Sequence, residues 1–240
     1  MLMLSFAAAA LLVAVHLFSG RLRFLSGTPR SRWLSAAGGV SVAYVFIHLL
    51  PEIARGQRLF EDRAVQPLGY LEHHAYLLAL TGLVVFYGLE RLVKRRRERL
   101  PKGADTPPGV FWLHIASFSV YNVLVGYLLL HREEPGLASL IWFAVAMALH
   151  FLVNDFGLQQ DHRGRFDRIG RWVLSAALLV GWTMGVFIEV TELAISACIA
   201  FLTGSVILNV MKEELPEERA SRFSAFLLGA FGYAALLLAL

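Results

Sequence analysis

The chain has 240 residues, of which 57% are hydrophobic and 17% are charged. A soluble domain of this size could not bury so much apolar surface, so the composition predicts an integral membrane protein. The net charge of +4 comes from short basic clusters between apolar runs, with no long basic face, and this argues against nucleic acid as a partner. The single cysteine, Cys198, excludes an intrachain disulfide and a cysteine-based zinc knuckle.

Eight apolar runs follow one another along the chain, and each is close to the ~20 residues that a helix needs to cross a bilayer. The runs are 1–18, 33–50, 70–89, 110–130, 137–158, 169–190, 193–210 and 223–240. Only the segment from Glu189 to Glu192 separates the sixth run from the seventh, and we interpret it as a tight turn at the membrane surface. The sequence therefore predicts an all-α integral membrane protein in which residues 1–240 form one domain of eight transmembrane helices.

The first run could be mistaken for a signal peptide because it starts the chain. No Lys or Arg precedes its apolar core, and the basic residues Arg21 and Arg23 follow it instead. This is the wrong order for a cleaved secretory signal. We interpret the run as a retained span whose N-terminus is external.

The basic residues support this orientation. With an external N-terminus, eighteen of the 22 Lys and Arg residues fall in the cytoplasmic links, and Arg55, Arg58, Arg63 and Arg132 fall outside. This asymmetry follows the positive-inside rule and predicts that both termini are external. We interpret the basic stretch Arg91–Lys102 as a solvated helix end; recruitment of anionic lipid or a partner is the alternative. The compact form suits a bacterial inner membrane.

Polar residues late in the fifth run mark the candidate site. His150 and Asn154 are four residues apart and share a helix face, and Asp155 lies about 100° further round. A carboxylate within a membrane span is costly and often marks an ion path. Imidazole, carboxylate and amide groups suit a divalent metal ion, and Asn122, near the middle of the fourth run, is the candidate ligand from a second helix. The alternative is an interhelical hydrogen-bond network of the same four residues.

An intramembrane enzyme is poorly supported. The spans contain no paired catalytic carboxylates on one helix, no nucleophile with an adjacent base and no His-Glu-x-x-His motif. The sequence therefore predicts a protein that is not an enzyme.

Two short motifs resemble the ZIP (Zrt/Irt-like) family of metal transporters. Phe46–Glu52 reads Phe-Ile-His-Leu-Leu-Pro-Glu and resembles the family's His-Leu-Leu-Pro-Glu signature, and Ala200–Glu218, which contains Gly204, is similar to its penultimate span. The sequence Leu-Pro-Glu occurs at Leu50–Glu52 and again at Leu215–Glu217, at predicted span ends on opposite membrane sides, as an inverted repeat requires. The resemblance implies an inverted 3+2+3 arrangement around spans four and five.

The family's metal centre is altered in this chain. Where the fourth span of the family carries His-Asn-x-x-Asp/Glu-Gly, residues 121–126 read Tyr-Asn-Val-Leu-Val-Gly. Where the fifth span carries His-Glu-x-Pro-His-Glu-x-Gly, residues 150–157 read His-Phe-Leu-Val-Asn-Asp-Phe-Gly. Tyr121, Val125 and Phe151 thus remove three potential donors, which argues against a two-metal centre. The ligands left for a single ion are Asn122, His150, Asn154 and Asp155.

The resemblance implies a secondary carrier that brings a divalent cation of the zinc, iron or manganese class into the cytoplasm by alternating access. In this hypothesis the metal is substrate, no cofactor is permanently bound, and His48 with Glu52 gathers cations at the outer side. The alternative is a non-transporting ZIP-fold protein that acts as a metal sensor, binding or scaffold subunit. Small-residue runs at Ala36–Gly39 and Gly229–Gly232 would allow close helix packing within one chain or between the chains of a homodimer.

Overall fold

The structure, a computed structural model, describes residues 1–21, 31–63, 74–99, 107–132, 136–214 and 222–238. All regular secondary structure within these ranges is helical. The α-helices are α1 (Leu2–Phe18), α2 (Arg32–Tyr44), α3 (Leu50–Arg63), α4 (His74–Glu98), α5 (Pro108–Leu128), α6 (Leu137–Arg165), α7 (Arg171–Phe187), α8 (Glu192–Glu214) and α9 (Phe223–Leu238). A π-helical turn, Val45–Leu49, joins α2 to α3, and a second one, Phe166–Gly170, joins α6 to α7.

Six helical stretches are long and apolar enough to cross a membrane. They are Arg32–Glu61, His74–Arg96, Pro108–Leu128, Leu137–His162, Phe166–Phe187 and Glu192–Lys212. The helices α1 and α9 are also apolar, but they have only 17 and 16 residues. The prediction of an all-α, multi-pass membrane protein is confirmed at this level.

The helix that contains the second predicted span is longer than the span itself. The span is predicted to end at Leu50, and the helical stretch continues through Pro51 to Arg63, so residues 51–63 of the link that follows are helical. Pro51 has no N–H and its ring crowds the preceding turn; the π-helical turn adapts to this by letting the N–H of Leu50 bond to the carbonyl of Val45.

Other span limits differ in the same direction. The third and fifth predicted spans continue as helix to Glu98 and Arg165, beyond their apolar parts. After the third span the added residues are mainly Arg and Lys, which are good helix formers. Between the sixth and seventh predicted spans, residues 188–191 are not helical, and α7 and α8 are therefore separate helices. The predictions for residues 70–73, for the second Leu-Pro-Glu at 215–217 and for residues 239–240 lie outside the described residues.

Three helix pairs approach closely through reciprocal glycines. In the α5/α7 pair, a Cβ at Gly126 would lie 2.1 Å from the Leu178 carbonyl oxygen, and one at Gly181 would lie 2.0 Å from that of Val123. No side chain fits at such distances, so the two backbones are in direct contact. The corresponding glycine contacts in the other two pairs are Gly82 with Phe201 and Gly204 with Ala79 (α4/α8), and Gly39 with Phe226 and Gly229 with Ala36 (α2/α9).

The contacts of α5 fix the direction of its neighbours. His114 contacts His162 and Tyr121 contacts Met147, so α5 and α6 are antiparallel. The reciprocal glycine contacts make α7 parallel to α5. The chain therefore reverses its direction between α6 and α7. We call the end at which α5 finishes the Arg132 end, and the opposite end the Lys212 end.

Candidate metal centre

Three polar side chains from three helices meet in the core, and we call them the central cluster: His16 of α1, Asn122 of α5 and Asp155 of α6. The His16 Nδ1 lies 2.9 Å and 3.0 Å from the two carboxylate oxygens of Asp155, and its Nε2 lies 2.8 Å from Asn122 Oδ1. Each side chain is only 1% exposed. The imidazole of His16 thus bridges two of the predicted ligands.

The hydrogen bonds of the central cluster determine how many protons it holds. The Asn122 amide nitrogen donates to the Phe118 carbonyl, so its Oδ1 is left to accept a hydrogen bond from His16 Nε2. One further proton must lie between His16 Nδ1 and the Asp155 carboxylate, because two acceptors cannot bond to each other. The His16–Asp155 pair therefore has no net charge.

Packing of α1 along α6 places His16 in this position. The ring of Phe151, one helical turn before Asp155, stacks on the imidazole with 4.5 Å between ring centroids. Beyond His16, the Arg171 guanidinium of α7 donates to the Leu17 carbonyl at 3.3 Å. Phe151, which the sequence predicted only as a lost donor, thus packs against one face of the His16 ring.

The other two predicted ligands form a separate pair. The Asn154 amide nitrogen lies 2.9 Å from His150 Nε2, one turn away on the same helix, and both residues are buried. The His150 ring packs beside that of Tyr121, with 5.7 Å between centroids. Among the described residues, no hydrogen bond joins this pair to the central cluster. The structure brings Asn122 and Asp155 together through His16, and it places His150 and Asn154 in their own contact.

The side chains that could bind a metal ion do not form a dense cluster in the described part of the chain. No group of three or more His, Cys, Asp or Glu side chains there has an arrangement that could hold a metal ion. The central cluster itself offers one carboxylate, one imidazole and one amide oxygen, a mixed set that divalent transition metals accept. A cation at Asp155 would have to replace the proton and the hydrogen bonds of His16.

Sequence reasoning missed His16 as a member of this site. The residue is 139 positions from Asp155 in the chain. In the sequence, His16 differs from its neighbours only in being an ionisable residue within an apolar run, and this does not identify its partner. Only the packing of α1 on α6 shows which carboxylate it meets.

A narrow cavity lies between the central cluster and the Arg132 end. Its volume is about 30 Å³, enough for about two water molecules. The described residues with polar groups at its wall are Tyr44, His48, Glu52, Tyr121, Arg132 and Ser139. The cavity therefore contains both residues predicted to gather cations, and also a cationic side chain that was not predicted there.

The predicted gathering residues form an i, i+4 pair. His48 Nε2 lies 3.8 Å from Glu52 Oε2, and the Glu52 side chain is 6% exposed while that of His48 is 25% exposed. The guanidinium of Arg132 bonds to the Leu129 carbonyl and, at 3.2 Å, to Ser139 Oγ. Burial lowers the pKa of Arg132 from its usual value, but a guanidinium starts from a value high enough to stay cationic.

A second polar cluster, which we call the basal cluster, lies nearer the Lys212 end. It is a chain of four side chains from four helices: Lys212 (α8), Glu90 (α4), His114 (α5) and His162 (α6). The distances along it are 2.6 Å from Lys212 Nζ to Glu90 Oε1, 3.1 Å from Glu90 Oε1 to His114 Nε2, and 2.9 Å from His114 Nδ1 to His162 Nε2. No prediction assigned a site here.

The sequence did carry a weak signal for the basal cluster. His114 precedes Asn122 by eight residues, and His162 follows Asp155 by seven. On antiparallel helices this spacing places both histidines about two turns from the central cluster on the same side. The partners Glu90 and Lys212 could not be assigned without knowing how α4 and α8 pack.

No protein-family model matches the chain, and a search of curated proteins finds no match.

Proposed function

We propose that the protein is a ZIP-like secondary carrier that moves a divalent cation of the zinc, iron or manganese class into the cytoplasm between α5 and α6. The observation that carries this proposal is the environment of Asp155. Its carboxylate is 1% exposed, and His16 is its only partner among the described residues. A carboxylate in that position needs a positive charge or a proton beside it. In the transport cycle a cation takes this place, with Asp155, His16 and Asn122 as donors.

The helix pairs support an inverted repeat. In an inverted 3+2+3 arrangement, a two-fold axis in the membrane plane would exchange spans three and eight and spans seven and two. It would therefore convert the α4/α8 pair into the α9/α2 pair, and both pairs have reciprocal glycine contacts. The partners run parallel in both cases: eight residues beyond Gly82 and Gly204, Glu90 meets Lys212, while the backbone N–H of Arg222 bonds to Ser35 Oγ before the α2/α9 glycines.

The same arrangement gives the protein its orientation. We assign eight spans, including the shorter α1 and α9, with both termini external. The Lys212 end, which carries most of the basic residues, is cytoplasmic by the positive-inside rule, and the Arg132 end is external. The membrane is a bacterial inner membrane.

In this orientation the cavity lies on the outer side of the central cluster, and we assign the entry path for the cation to it. Glu52 and His48 line its outer part and attract cations, and the negative charge of Glu52 offsets the positive charge of Arg132. Asn154 directly precedes Asp155 on α6, and His150 lies five residues before it; both supply donors when α6 rotates relative to α5. Metal is substrate throughout this cycle.

A second function is favoured by a specific observation. Every donor of the central cluster already bonds to another member or to the backbone, and Arg132 stands in the cavity where a cation would enter. We would expect such a core, in which the polar side chains neutralise one another, in a ZIP-fold protein that no longer transports. Such a protein would act as a metal sensor, binding or scaffold subunit.

Uptake by proteoliposomes separates the two. We expect the wild type to take up at least one of radiolabelled zinc, iron(II) and manganese, and Asp155→Asn, which keeps the shape and one acceptor oxygen, to lose this uptake. Glu189→Gln removes an exposed carboxylate and is the matched control. Wild-type uptake no higher than in empty vesicles for all three metals would reject the carrier in favour of the non-transporting function.

A further inference from the structure

The basal cluster is a hydrogen-bonded chain of four ionisable side chains that the central site does not use. It connects α4, α5, α6 and α8 through side chains alone, and all four of its residues lie within the long apolar stretches of these helices, His162 and Lys212 at their ends. Glu90 and Lys212 are partly exposed, at 18% and 28%, while His114 and His162 are buried. The chain thus runs from water at the Lys212 end into the core between α5 and α6.

The hydrogen-bond chemistry of the basal cluster determines its proton positions. Glu90 receives a hydrogen bond from the Lys212 ammonium, so its carboxylate is ionised and can only accept. His114 Nε2 must therefore carry the hydrogen that bonds to Glu90. When His114 is neutral its Nδ1 is an acceptor, and the hydrogen in the contact between the two rings belongs to His162 Nε2.

Two added protons have different effects on this arrangement. The first can bind to His162 Nδ1, and the contact between the rings is kept because His162 Nε2 still donates to His114 Nδ1. The second must bind to His114 Nδ1, and then neither nitrogen in the contact has a lone pair. Two imidazolium rings whose centroids are 5.1 Å apart also repel each other, with the Lys212 ammonium nearby. The contact between α5 and α6 must then open.

The other charged groups near the two histidines are already engaged. The Arg165 guanidinium of α6 lies over the Phe111 ring at 5.7 Å, and Asp167 accepts from Gln159 at 2.9 Å. Arg171 of α7 donates to Leu17, and Asp161 precedes His162 on the same helix, where it is partly exposed. Glu90 and Lys212 are the charged side chains in the hydrogen-bonded chain itself.

The space between the two clusters is apolar and closed. Ile115 and Phe118 of α5 and Leu158 of α6 are at most 4% exposed, and the cavity described above lies on the other side of the central cluster. In this conformation the Lys212 end is shut where the basal cluster holds α5 to α6.

We propose that the basal cluster is a proton-operated gate at the cytoplasmic end, closed when His114 and His162 share at most one added proton and opened by the second. This gate rests on the proposed carrier function, in which the cation must leave on the Lys212 side. It gives the cytoplasmic proton concentration direct control over release.

The test measures the opening directly, without metal. Spin labels are attached at Lys94→Cys of α4 and Gln160→Cys of α6, both exposed positions near the Lys212 end, in a Cys198→Ala background, and their separation is measured in liposomes by pulsed electron paramagnetic resonance. We expect one short distance at about pH 8 and a second population, longer by roughly 5 Å, at about pH 5.5, a range that spans the ordinary titration of imidazole.

The variants identify the groups responsible. His114→Gln and His162→Gln keep a polar side chain without its titration and should hold the short distance at both pH values, while His131→Gln, which changes a histidine at the other end, should respond as the wild type does. A wild-type distance that does not change with pH, or a response that survives in both cluster variants, would overturn the gate.

A second pair of variants tests the gate even if the histidine variants do not fold. Lys212→Gln removes a positive charge, so the histidines protonate more readily and the midpoint of opening should move to higher pH by roughly one unit. Glu90→Gln removes a negative charge and should move it to lower pH. Unchanged midpoints in both would contradict the gate. Metal uptake is a separate measurement. If metal is taken up but the distance between the spin labels does not change with pH, the gate alone is rejected. If the distance increases at low pH but no metal is taken up, the carrier alone is rejected.

Discussion

The central and basal clusters lie two turns apart on the same pair of helices, yet their carboxylates are neutralised in different ways. Glu90 has a lysine beside it and reaches water, so its charge is balanced permanently. Among the described residues, Asp155 bonds only to the imidazole of His16, which in turn bonds to the amide of Asn122, and all three side chains are 1% exposed. A permanent ammonium partner disfavours a metal ion at Glu90, whereas the proposed carrier function requires the proton shared by His16 and Asp155 to be exchanged for a metal ion. Under the proposed function, a cation replaces the proton at the carboxylate of Asp155, and the carboxylate of Glu90 keeps a structural contact.

The largest effect is expected when the partner of Asp155 is removed. His16→Ala leaves a buried carboxylate unpaired and a space beside Phe151, and should lower the free energy of unfolding by on the order of 3–5 kcal/mol. The measurement is reversible denaturation of the purified protein in detergent. His131→Ala, which removes a hydrogen bond of 2.8 Å to the Gly185 carbonyl at the Arg132 end, should cost only about 1 kcal/mol. Similar losses of unfolding free energy in the two variants would mean that the His16–Asp155 pair contributes no more to stability than an ordinary hydrogen bond.

The next effect concerns the register of α5, on which both clusters depend. Gly181→Ala places a methyl group 2.0 Å from the Val123 carbonyl, next to Asn122, and forces α7 and α5 apart. We expect a loss of about 1–3 kcal/mol in the free energy of unfolding. Gly232→Ala is the matched control, because nothing lies within 4 Å of the added Cβ, and it should be neutral or slightly stabilising. Equal effects would show that the close α5/α7 contact does not hold the helices.

The smallest effect is expected at the basal cluster's salt bridge. Lys212→Ala removes a partner of Glu90 at a site that water already reaches, so the free energy of unfolding should fall by about 1 kcal/mol or less. The same denaturation measurement applies. A loss as large as that of His16→Ala would remove the distinction between the two carboxylates.

The order of the helices could be predicted from the sequence because apolar runs and basic links report membrane crossing directly. The ends of the helices could not be predicted in this way, because two helices continue after their apolar residues stop, over residues 55–63 and 91–98. At the site, the spacing of His150 and Asn154 predicts that they share one helix face, and their hydrogen bond agrees with this prediction. The partnership of His16 with Asp155 and that of Glu90 with His114 depend on which helices are neighbours, which local patterns do not encode.

The most direct test of the cation site is calorimetric titration of the purified protein with zinc, iron(II) and manganese in turn, comparing Asp155→Asn with Glu90→Gln. Both substitutions remove one carboxylate charge and keep the side chain's shape, so they differ only in which cluster loses its charge. We predict saturable binding of at least one of these metals in the wild type and in Glu90→Gln, and none in Asp155→Asn. Binding that survives in Asp155→Asn and is lost in Glu90→Gln, or no binding of any of the three metals by the wild type, would contradict the account.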